Sequence, residues 1–371
     1  MVIPVWEPVL DGSEKKYVID CLDTAWISSM GDYITRFEES FARYCGVRHG
    51  IACSSGTTAI HLAIASAGIG AGDEVILPDF TLVACANMII LAGARPVPVD
   101  VDPEIWCLDP SRIEAKITPR TRGILAVHMY GHPCDMDAIN DIARRHELLV
   151  IEDGAEAHGA EVNGRRVGSL GAVGAFSFYG NKILTTGEGG MVVTSDDDLA
   201  RRARLLRNQA FGEPRFVHHD FGFNYRMTNL QAAIGLAQCE RIEQKVGRKR
   251  EIARIYLDLL QGQPDLTLPA ERPWAKNVYW MFGVLLGDGF GVPRDEVMRR
   301  LKNSGVETRA FFHPLHSQPV YKGSDPRYPD TTGVYPVSED LWNRGLYLPS
   351  GLGLTRVQQE EVVWKLMESR K

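Results

Sequence analysis

The 371-residue sequence lacks the marks of a membrane, secreted or nucleic-acid-binding protein. No apolar run approaches the ~20 residues that span a bilayer, and residues 1–8 have neither the basic nor the apolar region of a signal peptide. The net charge is −6, without the basic excess of a nucleic-acid binder. We therefore expect a cytoplasmic protein that binds no nucleic acid and no membrane.

Cysteine is scarce and unpatterned. The 7 cysteines include no C-x-x-C pair, and most stand in apolar stretches, which is typical of buried, reduced thiols.

Two histidine groups, His218-His219 and His128/His132, have no apparent third ligand, so we predict no metal site. Hydrophobic residues make up 44% and charged residues 24%, the composition of a globular enzyme.

Strand and helix patterns alternate between about residues 49 and 195, which predicts an α/β fold. The predicted strands are 50–53, 74–77, 96–99, 123–127, 148–152, 172–179 and 190–194. Residues 148–151 are apolar in succession, as in a strand covered on both faces, and this favours a mostly parallel sheet. Helical patterns cover 57–68, 83–92, 110–116, 135–146, 197–207 and one long stretch, 229–260. We predict an N-terminal arm (1–33), a large domain (34–245) and a small C-terminal α+β domain (246–371).

The first candidate site is the small, hydroxyl-rich run Ser54-Ser55-Gly56-Thr57-Thr58, where a strand ends and a helix begins. Free N–H groups and the helix dipole make such a helix start suitable for a phosphate. Gly56 permits close approach of the ligand to the backbone, and the hydroxyls add donors. An ordinary capped helix start is the alternative.

The second candidate is Asp153, at the carboxyl end of a buried strand, where ligands of open α/β sheets bind. A carboxylate there needs a cationic partner. A structural ion pair or a helix cap would also explain it.

The third candidate is Lys182, which follows an aromatic strand and precedes a glycine-rich turn. Apolar residues and glycines flank it, and semi-buried lysines of this kind have a lowered pKa and form Schiff bases. A phosphate site, a buried aspartate and such a lysine are together what pyridoxal 5'-phosphate requires. The aspartate would pair with the protonated ring nitrogen, and the lysine would carry the aldehyde.

The sequence resembles the sugar aminotransferases of fold type I, which depend on pyridoxal phosphate. The matching stretches extend over nearly the whole chain: residues 26–31, 55–63, 72–78, 93–97, 127–131, 151–153, 176–182, 186–191 and 222–229. The resemblance implies a large domain with a mostly parallel, seven-stranded type of sheet between helices, and a smaller C-terminal α+β domain. It also implies a homodimer with shared active sites.

Carried over residue by residue, the resemblance assigns Lys182 as Schiff-base lysine and proton shuttle, and Asp153 as partner of the pyridine nitrogen. Glu156 would lie against the ring near its hydroxyl. The resemblance gives the cofactor phosphate to Gly56, Thr57 and Ser177, and to Asn224 of the neighbouring subunit, with Ser55 and Leu82 as further cofactor contacts. For the sugar nucleotide it suggests Trp26, Ser28, Arg226 and His313.

One position departs from the family pattern. The family has an aromatic residue on the cofactor ring where this chain has Leu82. Either Leu82 covers the ring, which we favour, or Phe80 replaces it from two residues earlier. A group of four aromatic residues, Trp274, Tyr279, Trp280 and Phe282, is interpreted as core or interface rather than as a recognition element.

The implied reaction moves an amino group from L-glutamate to the 4-keto carbon of a nucleotide-linked 6-deoxy sugar, with pyridoxamine 5'-phosphate as the form between the two halves. Within the family the resemblance is closest to the GDP-perosamine synthases of O-antigen and lipopolysaccharide biosynthesis, through residues 26–29, 185–191 and 312–316. A transaminase for a UDP- or dTDP-linked sugar is the nearest alternative. A dehydratase, in which the family replaces the lysine with histidine, and a non-catalytic cofactor-binding sensor are further ones.

Overall fold

The computed structural model describes residues 2–370. Its helices are α1 Glu14–Asp23, α2 Asp32–Cys45, α3 Gly56–Ser66, α4 Ala84–Leu91, α5 Met136–Arg145, α6 Asp197–Arg207, α7 Asn229–Cys239, α8 Ile242–Leu260, α9 Arg294–Asn303, α10 Pro336–Arg344 and α11 Arg356–Glu368. Its strands are β1 His49–Cys53, β2 Glu74–Pro78, β3 Arg95–Val99, β4 Thr121–Val127, β5 Leu149–Asp153, β6 Glu161–Val162, β7 Arg165–Arg166, β8 Val173–Ser177, β9 Gly190–Thr194, β10 Leu266–Thr267, β11 Ala275–Lys276, β12 Phe282–Leu286, β13 Arg309–Ala310 and β14 Gly345–Leu348. None of the helices in this range is long and apolar enough to cross a membrane.

A seven-stranded sheet with the order β1-β9-β8-β5-β4-β2-β3 forms the centre of the molecule. Strands β8, β5, β4, β2 and β3 pair in parallel, and only β9 runs against its two neighbours. Every residue of β2, β8 and β9 is buried, because helices cover both faces. The mostly parallel α/β sheet and its seven predicted strands are confirmed.

Two helices show how the sheet is covered. Helix α2 turns Phe37 and Phe41 inward, where their rings pack on Phe178 beside the sheet, and it ends at Gly46 with a left-handed φ of 80°. Helix α3 has eight buried residues among its eleven, so it lies inside the protein rather than on its surface. Its N-terminus is therefore held rigidly against the end of β8.

The C-terminal part is α+β, as predicted. Strands β10, β12, β14 and β13 form an antiparallel sheet in that order, and α8, α9 and α11 bury a second hydrophobic cluster against it. Tyr256, Phe282 and Leu366 are fully buried in this cluster. Ile3 from the start of the chain joins them through a bridge to Val306.

Two helix predictions are wrong in detail. The stretch 229–260 is two helices, which separate at Glu240 and Arg241. Arg241 leaves helical geometry with φ −119° and ψ 15°, and at this break its guanidinium contacts both the carboxylate and the carbonyl of Asp11, a tertiary contact that the local pattern does not report. The stretch 110–116 forms two 3-10 turns instead of an α-helix, the first capped by the side chain of Asp109.

Candidate active site

A cavity of about 370 Å³ opens at the carboxyl ends of β5 and β8, where α/β sheets bind their ligands. Its walls come from four parts of the chain: the start of α3, the segment after β2, the ends of β5 and β8, and residues far along in the C-terminal part. The lining residues that carry the argument are Ser55, Gly56, Thr57, Leu82, Cys85, Asp153, Glu156, Ser177, Lys182, Trp280, Phe312 and Tyr347. The fold thus brings the three candidate sites of the sequence into one cavity.

The start of α3 forms the end of the cavity that is suited to an anion. The side chain of Ser55 caps the helix by accepting the N–H of Thr58 at 3.1 Å. Gly56 and Thr57, whose N–H groups have no carbonyl partner within a helix, line the cavity beside it. A Cβ on Gly56 would lie 2.4 Å from the Cβ of Ser177, so only glycine allows this approach. N–H groups, hydroxyls and the helix dipole together suit a phosphate.

Asp153 is a buried carboxylate held by two neutral donors. Its side chain accepts hydrogen bonds from the Cys85 thiol at 3.1 Å and from the backbone N–H of Ala155 at 3.0 Å. Burial raises the pKa of Cys85 well above its ordinary value, which keeps that thiol a neutral donor. Among residues 2–370 no cation forms an ion pair with the carboxylate within 4.0 Å, and Lys182 acts on it only from farther away, so the close cationic partner predicted from the sequence is not found in the chain. A protonated ring nitrogen in the cavity would supply it.

Lys182 presents an amine that burial has made less basic. Its side chain is 9% exposed, and loss of solvation lowers its pKa. The Nζ atom lies 3.8 Å from Oε1 of Glu156, whose Oε2 accepts the backbone N–H of Tyr130 at 2.9 Å. Burial raises the pKa of Glu156 to about 7. A lysine with a lowered pKa is nucleophilic enough to bond to an aldehyde near neutral pH.

The two residues considered for covering the cofactor ring occupy different places. Leu82 lines the cavity with a 47% exposed side chain. Phe80 is fully buried and packs its ring against Tyr130, Phe311 and Phe312, outside the cavity wall. Of the two, only Leu82 lines the cavity, and its place over the ring stays a prediction.

Five candidate residues lie outside the cavity wall of this single chain. Asn224 is exposed, and its backbone forms an isolated antiparallel bridge with Asn208. The guanidinium of Arg226 donates a hydrogen bond to Oδ1 of Asn208 at 2.7 Å. The carbonyls of Trp26 and Ser28 both accept hydrogen bonds from Asn229. His313 pairs with the Ser317 hydroxyl at 3.1 Å.

The sequence did not identify the C-terminal wall. Trp280, interpreted as core or interface, is buried but also faces Lys182, and Phe312 and Tyr347 complete the wall beside it. For Cys85 the sequence predicts only a buried, reduced thiol. No local signal marks these residues, because their role arises from packing between distant parts of the chain.

The lysine, the buried aspartate and the helix start together fit the aldehyde, the ring nitrogen and the phosphate of pyridoxal phosphate, and the mostly parallel seven-stranded sheet is that of the fold type I enzymes that use it. The chain belongs to the DegT/DnrJ/EryC1/StrS aminotransferase family, whose pattern matches residues 8–367.

Individual relatives agree over nearly the full length. A GDP-perosamine synthase of Caulobacter vibrioides is 48% identical over 363 residues, 97% of this chain and 96% of the relative. A GDP-perosamine synthase of Vibrio cholerae is 43% identical over 362 residues, 97% of each chain. The crystal structure of DesV from S. venezuelae, 38% identical, superposes with a TM-score of 0.89 over 97% of this chain and 94% of DesV.

Proposed function

We propose that this protein transfers the amino group of L-glutamate to the 4-keto carbon of GDP-4-keto-6-deoxy-D-mannose, giving GDP-perosamine. The observation that carries the transaminase chemistry is the Lys182 amine, desolvated and 3.8 Å from Glu156 in the same cavity as the unpaired Asp153. The choice of sugar nucleotide is supported by two relatives at 48% and 43% identity that bear the name GDP-perosamine synthase.

When bound, pyridoxal phosphate supplies an aldehyde and an electron-accepting ring. In this proposal Lys182 would hold the aldehyde. Once the amino group of glutamate has displaced it, the free Lys182 amine would carry a proton between the substrate carbon and the cofactor, at a distance fixed by its own tether. Asp153 would keep the ring nitrogen protonated, and Glu156 would lie near the ring hydroxyl. Gly56, Thr57 and Ser177 would hold the phosphate with Ser55 beside them, and Leu82 would cover the ring.

The proposal includes a homodimer with shared sites. Asn224 is exposed on its own chain and outside its own cavity, which suits a residue that reaches the phosphate in the partner's site. Trp26, Ser28, Arg226 and His313 are proposed for the sugar nucleotide. The seven cysteines are all unpaired and buried, which favours a reducing compartment, and we assign the protein to the cytoplasm on that basis.

The lysine assignment is tested by reduction with borohydride. The cofactor should become fixed to Lys182 and to none of the other 10 lysines, as mapped by peptide mass. Lys182→Ala should still bind the cofactor, because the phosphate and ring contacts remain, but should lose turnover. An adduct on any other lysine would reject the assignment.

The substrate assignment is tested by half-reactions followed by absorbance. Glutamate should convert the bound cofactor to its pyridoxamine form, and only a GDP-linked 4-keto-6-deoxy sugar should convert it back at a useful rate. A response to UDP- or dTDP-linked sugars instead would favour the alternative transaminase. No response to glutamate in cofactor-loaded protein would favour a sensor. The dehydratase alternative is disfavoured because Lys182 stands where that branch has histidine.

A further inference from the structure

The indole of Trp280 touches the reactive lysine in two ways. The Nζ atom of Lys182 lies 3.7 Å from the centre of the indole ring, over its face. The indole Nε1–H donates to the carbonyl of Asn181, the residue before Lys182, at 2.8 Å. Trp280 therefore contacts both the amine and the peptide that carries it, from a position 98 residues further along the chain.

Trp280 is itself held firmly by its surroundings. It is 3% exposed, and its neighbour Tyr279 has a left-handed φ of 49°, which bulky residues rarely adopt. The Oδ1 atom of Asn277 accepts the N–H of Tyr279 at 2.8 Å and fixes this turn. A Cβ added to Gly131 would lie 2.7 Å from the backbone nitrogen of Trp280, so these two stretches of backbone approach each other as closely as glycine allows. Backbone strain retained in this way concentrates at functional sites.

The titratable groups around the amine leave a role for an uncharged aromatic ring. The carboxyl groups of Glu156 and Asp153 act electrostatically on Lys182. Burial keeps two further groups near the amine neutral: it raises the pKa of Cys85 and lowers that of His158 to about 3. On the C-terminal side, Lys249, whose pKa burial lowers to about 7, lines a small cavity that Lys182 and Trp280 also line. An amine there cannot stabilise an ammonium by charge, whereas the negative face of an indole does.

We propose that Trp280 is a positioning residue for Lys182. Its ring face holds the ammonium whenever the amine carries a proton, and its N–H fixes the Asn181 carbonyl so that the side chain stays aimed into the cavity. This rests on the proposed role of Lys182 and extends it. As a consequence, the indole ring stabilises the charged form of Lys182 in place of water, so that the lysine can hold a proton between one proton transfer and the next.

The test uses cofactor-free protein and measures the rate at which an arylating reagent labels Lys182 across a range of pH, mapped by peptide mass. Trp280→Leu removes the π face, so the charged amine loses a stabilising contact and the midpoint of labelling should fall by roughly 0.4–1.5 pH units. Trp280→Phe keeps a weaker π face and should shift the midpoint by less. Trp274→Leu is the matched control, since Trp274 packs edge-on against His132 at 5.6 Å and does not line the cavity, and it should leave the midpoint unchanged.

An unchanged midpoint in folded Trp280→Leu, or an equal shift in Trp274→Leu, would overturn the proposal. Should Trp280→Leu fail to fold, Trp280→Met, a more adaptable side chain that also lacks a π face, is measured in the same way. The labelling needs neither cofactor nor substrate. A failure here would therefore leave the transaminase activity of the unmodified protein intact, whereas a missing half-reaction with glutamate in that protein would reject the proposed function by itself.

Discussion

Gly56 and Ser177 face each other so closely that a Cβ added to the glycine would lie 2.4 Å from the Cβ of the serine. The glycine opens α3, and the serine closes β8. This contact joins the helix N-terminus to the end of the strand at the end of the cavity that is suited to an anion. Neither partner can move freely, because the residues of both elements are buried nearly throughout.

Gly56→Ala should separate these two elements and damage the phosphate site. Overpacking of this kind costs roughly 1–3 kcal/mol, so cofactor affinity should fall by roughly 5- to 150-fold if that cost falls on the phosphate site. Gly247→Ala is the control: Gly247 is exposed within α8, and an added Cβ meets nothing within 4 Å. That variant should gain about 0.5–1 kcal/mol of helix stability and bind the cofactor normally. Equal affinity in both variants would show that Gly56 is not part of the phosphate site.

Asp153→Asn should keep the fold and lose most of the activity. The amide retains the size of the side chain but not the charge that favours a protonated ring nitrogen. A charge-assisted hydrogen bond contributes roughly 1.5–3 kcal/mol, so kcat should fall by at least about ten- to a hundredfold.

Cys85→Ser provides the comparison for this aspartate, because a hydroxyl can replace the thiol that donates to its carboxylate at 3.1 Å. We expect Cys85→Ser to stay much closer to normal turnover than Asp153→Asn. If Asp153→Asn turned over at the normal rate, Asp153 would be a structural residue only.

The site residues that the sequence identified share a local signature. Lys182, Asp153 and Gly56 each stand at a junction where a strand meets a turn or a helix, and the ends of parallel strands meet at one edge of a sheet. Their convergence could therefore be predicted without a structure. Trp280 and Phe312 reach the same cavity from the C-terminal part, and nothing near them in the chain says which surface they face.

The same contrast explains the helix errors. The apolar pattern of 148–151 predicted a buried strand, because a strand that is buried on both faces needs apolar side chains at consecutive positions. The pattern of 229–260 is equally continuous, yet the helix breaks where Arg241 pairs with Asp11, 230 residues earlier in the chain. Hydrophobic periodicity indicates the local preference of a segment for a helix, and it contains no information about a contact with a residue so far away in the sequence. The division into domains at residues 33 and 245 stays a prediction.

Stability should depend on pH through His316. Its Nδ1 lies 2.6 Å from Oδ2 of the fully buried Asp79, and this hydrogen bond raises the pKa of His316 above its ordinary value of 6.5. A raised pKa in the folded state means that the stabilisation is complete below the unfolded value and is lost as pH rises through the folded value. The free energy of unfolding should therefore decrease between about pH 6.5 and the raised pKa.

Urea unfolding at several pH values checks this expectation for His316. His316→Gln removes the titrating group and should flatten the pH dependence in that range. Glu339→Gln is the control, since Glu339 contacts the other ring nitrogen at 3.3 Å but is 60% exposed, and exposed ion pairs contribute little. A slope that persists unchanged in His316→Gln would assign the pH dependence to another group.

Asn224 provides a test of site sharing. If it serves the cofactor of the neighbouring subunit, then a mixed dimer of Lys182→Ala and Asn224→Ala contains one site with both defects and one intact site. Such heterodimers should recover part of the activity that each homodimer lacks. Tagged subunits, purified as verified heterodimers, allow the measurement. If the heterodimers are no more active than the two parent homodimers, then Asn224 either serves its own subunit's site or belongs to neither site.

Phe80 and Leu82 should respond to mutation in opposite ways, because only Leu82 lines the cavity. Phe80 is fully buried among three aromatic rings, so Phe80→Ala should lower stability by roughly 3–5 kcal/mol while leaving cofactor affinity unchanged. Leu82→Tyr places an aromatic ring where the half-exposed leucine now stands. Stacking on the cofactor adds roughly 0.5–1.5 kcal/mol beyond the area buried, so the dissociation constant should fall about two- to tenfold.

Cofactor titration of both variants distinguishes the two arrangements. Weaker cofactor binding in Phe80→Ala, together with a clash in Leu82→Tyr, would mean that Phe80 covers the ring and that this segment rearranges when the cofactor binds. Unchanged affinity in both would mean that neither side chain touches the ring. Leu82→Ala gives an independent check, since loss of its apolar contact should weaken cofactor binding with little effect on stability. That outcome follows from its 47% exposure, because a half-exposed side chain contributes little to the core.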